Sequence, residues 1–267
     1  MIPVIISGAC GRMGKIILTC ALESEEIKII GALEAPGHPA LGKTLSEALG
    51  LAGEDMVITS DASKYEEERP ALIEFTSPEA TMDHLHRAKE LGWAMVIGTT
   101  ALDENQQAKI KQAAEKVPIV FASNMSVGVN LLFKLVSQAA SVLGDSYDAE
   151  VFEVHHRFKK DAPSGTAKTI AETIAHVRNL DPEKGIVYGR KGIIGERKED
   201  EIGVHALRAG DVVGEHTVVF ATLGERVELT HRCHSRRTFA LGALRAALFL
   251  AGKSSGLYTM QDVLGIR

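Results

Sequence analysis

The densest run of reactive side chains in this sequence is Glu153-Val154-His155-His156-Arg157-Phe158-Lys159-Lys160-Asp161-Ala162-Pro163-Ser164-Gly165-Thr166. An imidazole gives or takes a proton near neutrality, and an ammonium binds an anion or supplies a proton. The residues Asp148–Phe158 alternate as a β-strand. Val151, Glu153, His155 and Arg157 therefore share one face, and His156 points the other way, so one of the two histidines is expected to be packed. Lys159 follows just beyond the strand. Ser164-Gly165-Thr166 then opens a helix whose N–H groups can hold a carboxylate. Together these groups suit an anionic substrate that must receive a proton. The plainer alternative is a basic surface turn before a capped helix. No acidic or cysteine partner stands at metal-ligand spacing from the two histidines, so no metal is expected.

A second cluster is Gly8-Ala9-Cys10-Gly11-Arg12-Met13-Gly14, directly after the apolar run Pro3–Ser7. Its GxxGxxG spacing is a variant of the dinucleotide fingerprint. The first glycine permits a tight turn, the second lets a pyrophosphate approach the backbone, and the third lets helix and strand pack closely. Glu34 closes the next strand-like run, where a carboxylate can accept the hydroxyls of an adenosine ribose. Phe75-Thr76-Ser77-Pro78 and Gly98-Thr99-Thr100 end two further strand-like runs. Their hydroxyls suit either a nicotinamide ribose or ordinary helix capping. Arg232, His234, Arg236 and Arg237 cluster near the end of the chain, either balancing substrate charge or forming a subunit or solvated face.

The elements that must position these groups follow from periodicity. Strands are expected at Pro3–Ser7, Ile27–Leu33, Met56–Thr59, Ala71–Phe75, Ala94–Ile97 and Pro118–Phe121. Helices are expected at Gly14–Ser24, Pro78–Leu91 and Asp103–Lys116. This order predicts a parallel sheet covered on both faces. After Asn124 the texture changes. A long helix over Val127–Leu143 precedes the histidine strand. A second helix covers Thr166–Leu180. Three strands follow over Gly203–Ala209, His216–Thr222 and Arg226–His231, and a final helix over Arg237–Gly252. The fold class is α/β: a parallel-sheet dinucleotide domain plus an α+β domain with an antiparallel or mixed sheet.

The 267 residues are 45% apolar, enough for one large core or two smaller ones. The net charge of −5 argues against general nucleic-acid binding. The apolar runs Val127–Val136 and Phe239–Ala251 are interrupted by Lys134 and Arg245, short of the roughly 18–20 residues that span a membrane. Met1 runs straight into a strand-like segment, so no signal peptide is expected. Cys10, Cys20 and Cys233 cannot all pair, and read as free thiols of the cytoplasm. Glu196–Glu201 is charge-dense and is expected to be a solvated loop.

Taken together, these motifs resemble the dihydrodipicolinate reductase family of bacterial lysine and diaminopimelate synthesis. The resemblance covers essentially the whole chain. It rests on the glycine turn, Phe75-Thr76, Val96–Thr100, Ser123–Asn130, His155–Ala167 and Arg208-Ala209-Gly210-Asp211-Val212-Val213-Gly214-Glu215-His216. It implies NAD(P)H-dependent reduction of 4-hydroxy-tetrahydrodipicolinate to tetrahydrodipicolinate with loss of water. It implies a Rossmann-type domain over 1–125, a substrate and tetramerisation domain over 126–237, and a last segment, 238–267, that packs back on the first. Cofactor contacts are implied at Gly8, Ala9, Cys10, Gly11, Arg12, Met13, Glu34, Gly98, Thr99, Thr100, Ala122, Ser123, Asn124 and Met125, with Thr76 beside them. Substrate contacts are implied at His156, Lys159, Gly165 and Thr166, beside Ser164. His155 matches the proton donor. Lys159 matches a second proton-donating or carboxylate-binding group.

Two departures stand out. Many members carry a basic residue after the acidic end of the second strand, where this chain has Ala35; many carry His where it has Phe158. The first favours NADH over NADPH, with dual use left open. Two other readings compete. An aldehyde dehydrogenase of the aspartate-semialdehyde type needs an activated thiol, for which only Cys233 is conceivable. A nucleotide-sensing regulator needs a partner-binding segment, and none is evident.

Overall fold

A computed structural model describes residues 1–51 and 55–266. The chain divides into two compact units, Met1–Val127 with Arg236–Arg267, and Gly128–Ser235. The first unit runs β1 (Ile2–Ser7), α1 (Arg12–Leu22), β2 (Ile27–Leu33), α2 (Leu45–Leu49), β3 (Ala71–Glu74), α3 (Pro78–Leu91), β4 (Ala94–Ile97), α4 (Glu104–Ala114) and β5 (Pro118–Phe121). The chain continues through α5 (Val127–Leu143), β6 (Asp148–His155), α6 (Gly165–Val177), α7 (Pro182–Gly185), β7 (Ile186–Tyr188), β8 (Ile202–Arg208), β9 (Gly214–Thr222) and β10 (Glu225–Cys233). It ends with α8 (Arg237–Leu250), β11 (Gly256–Tyr258) and α9 (Met260–Leu264).

The first sheet has the order β11-β5-β4-β3-β1-β2, and its ladders are parallel. Strands buried on both faces must be apolar at every position, which the runs IPVIIS, ALIE and AMVI nearly are. Val4, Ile6, Ile73, Val96 and Val120 pack with α1, α8 and α9 on one side. Ile5, Leu72, Met95 and Ile97 pack with α3 and α4 on the other. The direction of winding reverses at β1, so loops at the carboxyl ends of β1 and β3 flank a crevice there. Gly14 has no room for a side chain: a Cβ would lie 2.0 Å from the Gly8 carbonyl oxygen, so only glycine lets α1 abut β1.

The second sheet is mixed, with the order β10-β9-β6-β8-β7. Its β6–β8 and β7–β8 ladders are parallel, and β6–β9 and β9–β10 are antiparallel. One face carries Ala149, Val151, Ile202, Val204, Val218 and Phe220 against residues of α5 and α6. The opposite face presents Phe152, Val154, Leu207 and Val219, with Phe152 and Leu207 exposed.

Several expectations need correction. Met56–Thr59 does not form a strand; Val57 and Thr59 each make a single bridge, to Thr44 and Leu33. The histidine strand stops at His155, because the Ala209 N–H closes the ladder on the His155 carbonyl and the chain then turns, Lys159 N–H to the His156 carbonyl. The helical run Val127–Ser146 is long and apolar enough, by length and composition alone, to cross a membrane, since Lys134 interrupts the apolar run without ending the helix. Val129, Leu132, Phe133, Val136 and Ala140 of this run belong to the second unit's core. The short elements α2, α7, β7, β11 and α9 carry too little periodicity to have been anticipated.

The segment Glu196–Glu201 is not merely a solvated loop. Arg190 donates to both Glu150 oxygens, at 2.9 and 2.7 Å, and to Glu201 at 2.6 Å. Arg197 reaches Glu150 and Asp148 at 3.1 and 2.8 Å, and His205 Nε2 lies 2.8 Å from Glu150. Gly203 leaves the space these groups fill: a Cβ there would lie 1.9 Å from Glu150 Oε2. Burial pushes the Glu150 carboxyl up, but the bonds from Arg190, His205 and Arg197 outweigh it and bring its pKa from 4.5 down to about 2. A carboxylate depressed in this way stabilises the fold above its unfolded pKa, and that stability disappears as the pH falls from about 4.5 to about 2. Denaturant unfolding at pH 6 and pH 3 should show the wild-type protein losing on the order of 1–2 kcal/mol more than Glu150→Gln over this interval, after allowance for solvent screening. Equal losses in the two proteins would show that the network contributes no proton-linked stability.

Candidate active site

In the first unit the glycine turn follows β1 and opens α1. Gly8 has φ +70°, a left-handed conformation that glycine adopts without strain, and a Cβ there would lie 2.9 Å from Thr76 Cγ2. Gly11 is the N-cap of α1 and lacks a side-chain cap, leaving the helix N–H groups available to an anion. Glu34 is anchored to this turn: Oε2 accepts the Cys10 N–H at 2.9 Å and Oε1 accepts the Ala35 N–H at 3.0 Å. A carboxylate has about four acceptor positions, so capacity remains for ligand hydroxyls. Burial and the neighbouring Glu34 carboxylate both raise the Cys10 thiol's pKa, so it stays protonated.

Two cavities lie at the carboxyl ends of these strands. One, of about 400 Å³, includes Gly8, Glu34, Ala35, Pro36, Thr76 and Ala80 in its lining. The other, of about 450 Å³, is lined by Arg12, Met13, Phe75, Thr76, Gly98, Thr99, Thr100, the stretch Ala122–Met125 and Phe239. Thr76 lines both. A Cβ on Gly98 would lie 2.3 Å from the Phe75 ring, so glycine is required beside it.

Not every hydroxyl in these loops faces a ligand. Thr99 is buried, its Oγ1 accepting from the Thr76 N–H at 3.1 Å and from Thr81 Oγ1 at 2.9 Å. Ser77 caps α3 through the Ala80 N–H. For Thr99 and Ser77 the structural reading therefore accounts for the side chain. Below them lies Glu74, fully buried at the end of β3. It is hydrogen-bonded to Thr76 Oγ1 and lies 2.7 Å from His84 Nδ1. Glu74 was missed in the sequence, although a lone acid in an otherwise apolar strand is its signal.

In the second unit Glu153 organises the histidine loop. Glu153 is fully buried on β6, one pleat from His155 on the same face. Its Oε2 is hydrogen-bonded to His155 Nδ1, and its Oε1 accepts the Ser164 N–H at 3.0 Å. Arg208 donates to both oxygens, at 3.0 and 3.2 Å, and also to the Asp161 carbonyl, tying the loop to the sheet. Burial pushes the Glu153 carboxyl up, but the bonds from His155 and Ser164 and the charge of Arg208 hold it below the ordinary carboxylate range. An ionised partner at Nδ1 fixes the tautomer of His155 and leaves Nε2 as the reactive nitrogen. Space at Nε2 is kept by Gly214, where a Cβ would lie 3.0 Å away.

Ser164 caps α6, its Oγ accepting the Ala167 N–H at 3.2 Å, so Gly165 and Thr166 form the first turn of that helix. Lys159 Nζ pairs with Asp161 at 2.9 Å. His156 is less buried than His155, and its ring lies 6.2 Å from that of Phe158. His155 and Ser164 are thus held on one carboxylate, and Gly165 and Thr166 follow Ser164 as the first turn of α6. Sequence reasoning noted Glu153 on the His155 face and quoted Arg208 and Gly214 within a family motif, but gave none of the three a role. Cys233, which the competing dehydrogenase reading requires, is buried and donates to the Ser235 carbonyl at 3.2 Å.

The N-terminal family model of dihydrodipicolinate reductase matches residues 2–125, and the C-terminal one matches residues 128–264. A 4-hydroxy-tetrahydrodipicolinate reductase of Dechloromonas aromatica is 48% identical over 262 residues, covering 98% of this chain and 97% of that protein. One from Syntrophus aciditrophicus is 47% identical over 267 residues, covering all of both. Among solved structures, the dipicolinate-bound dihydrodipicolinate reductase of Paenisporosarcina sp. TG-14 superimposes with a TM-score of 0.78 at 25% identity, covering 98% of each chain. An amine dehydrogenase from Mycobacterium smegmatis shares the fold, with a TM-score of 0.61 at 11% identity over 97% of this chain and 95% of its own. Matched along nearly its whole length by both family models and by full-length relatives, the chain belongs to the dihydrodipicolinate reductase family.

Proposed function

We propose that this protein is an NAD(P)H-dependent reductase that converts 4-hydroxy-tetrahydrodipicolinate to tetrahydrodipicolinate and water, in the synthesis of diaminopimelate and lysine. The observation that carries this reading is the junction at Glu153, where one buried carboxylate holds both an imidazole and the start of a helix. A dicarboxylate that must gain a proton needs those two groups fixed relative to each other.

The residues of the glycine turn fit a dinucleotide, because the Gly11 N-cap leaves the start of α1 without a side-chain cap, and the two cavities at the strand ends share Thr76. Gly8, Ala9, Cys10, Gly11, Arg12 and Met13 would take the pyrophosphate side, and Glu34 the adenosine ribose. Thr76, Gly98, Thr99, Thr100 and Ala122–Met125 would line the nicotinamide side, with Thr99 contributing backbone rather than hydroxyl. When bound, the nicotinamide supplies the hydride. In the second unit, the N–H groups of Gly165 and Thr166, the Lys159 ammonium and His156 bind the substrate carboxylates. His155 donates its proton from Nε2, and Glu153 at Nδ1 stabilises the charged ring before that transfer.

The proposed assembly is a homotetramer built on the open face of the mixed sheet. Phe152 and Leu207 stand exposed there beside Val154 and Val219, and an apolar sheet face in water calls for cover.

Lys159→Ala and His155→Gln should each cut turnover by about 10²–10⁴-fold, the usual worth of a positioned acid, while the melting temperature of Lys159→Ala stays near that of the wild type. Near-normal turnover in His155→Gln would remove that residue as proton donor. Steady-state rates with both cofactors should favour NADH by about tenfold in kcat/KM, about 1.4 kcal/mol, because a 2′-phosphate would meet Glu34 with no cation at Ala35. Ala35→Arg should shift the ratio toward NADPH; a clear NADPH preference in the unmodified protein would mean that another cation, such as Arg12 or Lys15, holds the phosphate. Sedimentation at assay concentrations should give a tetramer, and a stable monomer would refute the assembly.

A further inference from the structure

His216 lies on β9, directly opposite Glu153 in the antiparallel β6–β9 ladder, and is almost fully buried. Its Nε2 is 3.1 Å from Ser164 Oγ, the same oxygen that caps α6 through the Ala167 N–H. Its Nδ1 is buried with no hydrogen-bond partner among the described residues. Its ring packs edge-on against that of His155, with centroids 5.2 Å apart. Ser164 is thus gripped twice from one row of the sheet, at its backbone N–H by Glu153 and at its hydroxyl by His216. The contacts close a circuit from Glu153 to His155, from the His155 ring to His216, from His216 to Ser164, and from Ser164 back to Glu153.

An imidazole buried with one nitrogen unpaired costs stability, and an apolar residue would fill the same volume without that cost. Burial, aided by the neighbouring His155 charge, lowers the His216 pKa to about 3, so the ring is neutral at working pH and does not bind an anion by charge. Its one hydrogen bond goes to the residue that sets where α6 begins.

We propose that His216 is a positioning residue: its hydrogen bond to Ser164 Oγ fixes the N-terminus of α6 relative to His155, and so sets the affinity of that helix turn for a substrate carboxylate. This inference rests on the proposed reductase reading for its ligand, and on the Glu153–Ser164–His216 geometry for everything else. The residue itself touches no substrate. Removing its hydrogen bond should loosen carboxylate binding more than it slows the chemical step.

The test compares His216→Leu, which fills the volume without a polar atom, with His216→Gln, whose terminal amide can reach Ser164, both in the full chain. In His216→Leu, the KM for the dicarboxylate substrate and the Kd for pyridine-2,6-dicarboxylate should rise about tenfold, the effect of one lost hydrogen bond, while the KM for NADH stays unchanged. His216→Gln should return both values to within about threefold of the wild type. Backbone amide exchange, followed without substrate, should show lost protection at Ala167 and Lys168, whose N–H groups bond to Ser164, in His216→Leu and its recovery in His216→Gln. Unchanged dicarboxylate affinity and unchanged exchange in His216→Leu would overturn the proposal. So would a loss in both KM values that His216→Gln fails to rescue, since that pattern marks general damage. A wild-type protein that neither binds pyridine-2,6-dicarboxylate nor oxidises NADH with the substrate would instead overturn the reductase reading, and the exchange data would still decide whether His216 holds the helix.

Discussion

The second unit depends on a single buried carboxylate. Glu153 sits in the middle of a mixed sheet, where an unpaired charge would be prohibitive. It is tolerated because His155, the Ser164 N–H and the Arg208 guanidinium occupy its acceptor positions. The same pairing makes it useful. Three groups, 2, 11 and 55 residues along the chain, are placed by one oxygen pair, so an imidazole on a strand and the first turn of a helix share a common reference point. Arg208 extends the arrangement to the Asp161 carbonyl, which holds the intervening loop.

In the first unit the corresponding constraint is steric. A parallel sheet buried on both faces leaves only the strand ends available to a ligand, and here the ends come close to other backbone. Gly14 against the Gly8 carbonyl and Gly98 against the Phe75 ring are contacts that no side chain could share. Gly242 of α8 makes the same kind of contact, since a Cβ there would lie 1.8 Å from the Met125 carbonyl oxygen. The segment after β5 and the returning C-terminal helix therefore pack without a side chain between them. The buried Glu74, paired with the half-buried His84 beneath Thr76, adds a polar anchor under the same crevice.

Charge is handled differently in the two glutamates of β6, Glu153 fully buried and Glu150 half-buried. Glu153 faces the α6 side of the sheet and serves the proposed site. Glu150, on the opposite face, is neutralised by Arg190, Arg197 and His205 and ties a charge-dense loop to the sheet. That loop looks solvated in sequence because local charge density says nothing about partners 47 and 49 residues away.

The sequence by itself determined the elements with strong periodicity, the glycine turn with Glu34, and the histidine strand running into a capped helix. These are local properties: alternation, apolar runs and special backbone conformations are set by neighbours along the chain. It also carried the family resemblance, through motifs such as the run from His155 to Ala167. Only the tertiary structure decided which polar residues act together. Glu153, Arg208 and His216 are far apart in sequence and meet through strand register, and Ser164 is drawn to them from the start of α6. That register is fixed by the packing of Val151, Val204 and Val218 in one core. It likewise decided that the hydroxyl of Thr99 belongs to the protein, and that Met56–Thr59 makes isolated bridges rather than a strand. A side chain's partner across a sheet depends on long-range pairing, and no pattern local to the residue encodes it.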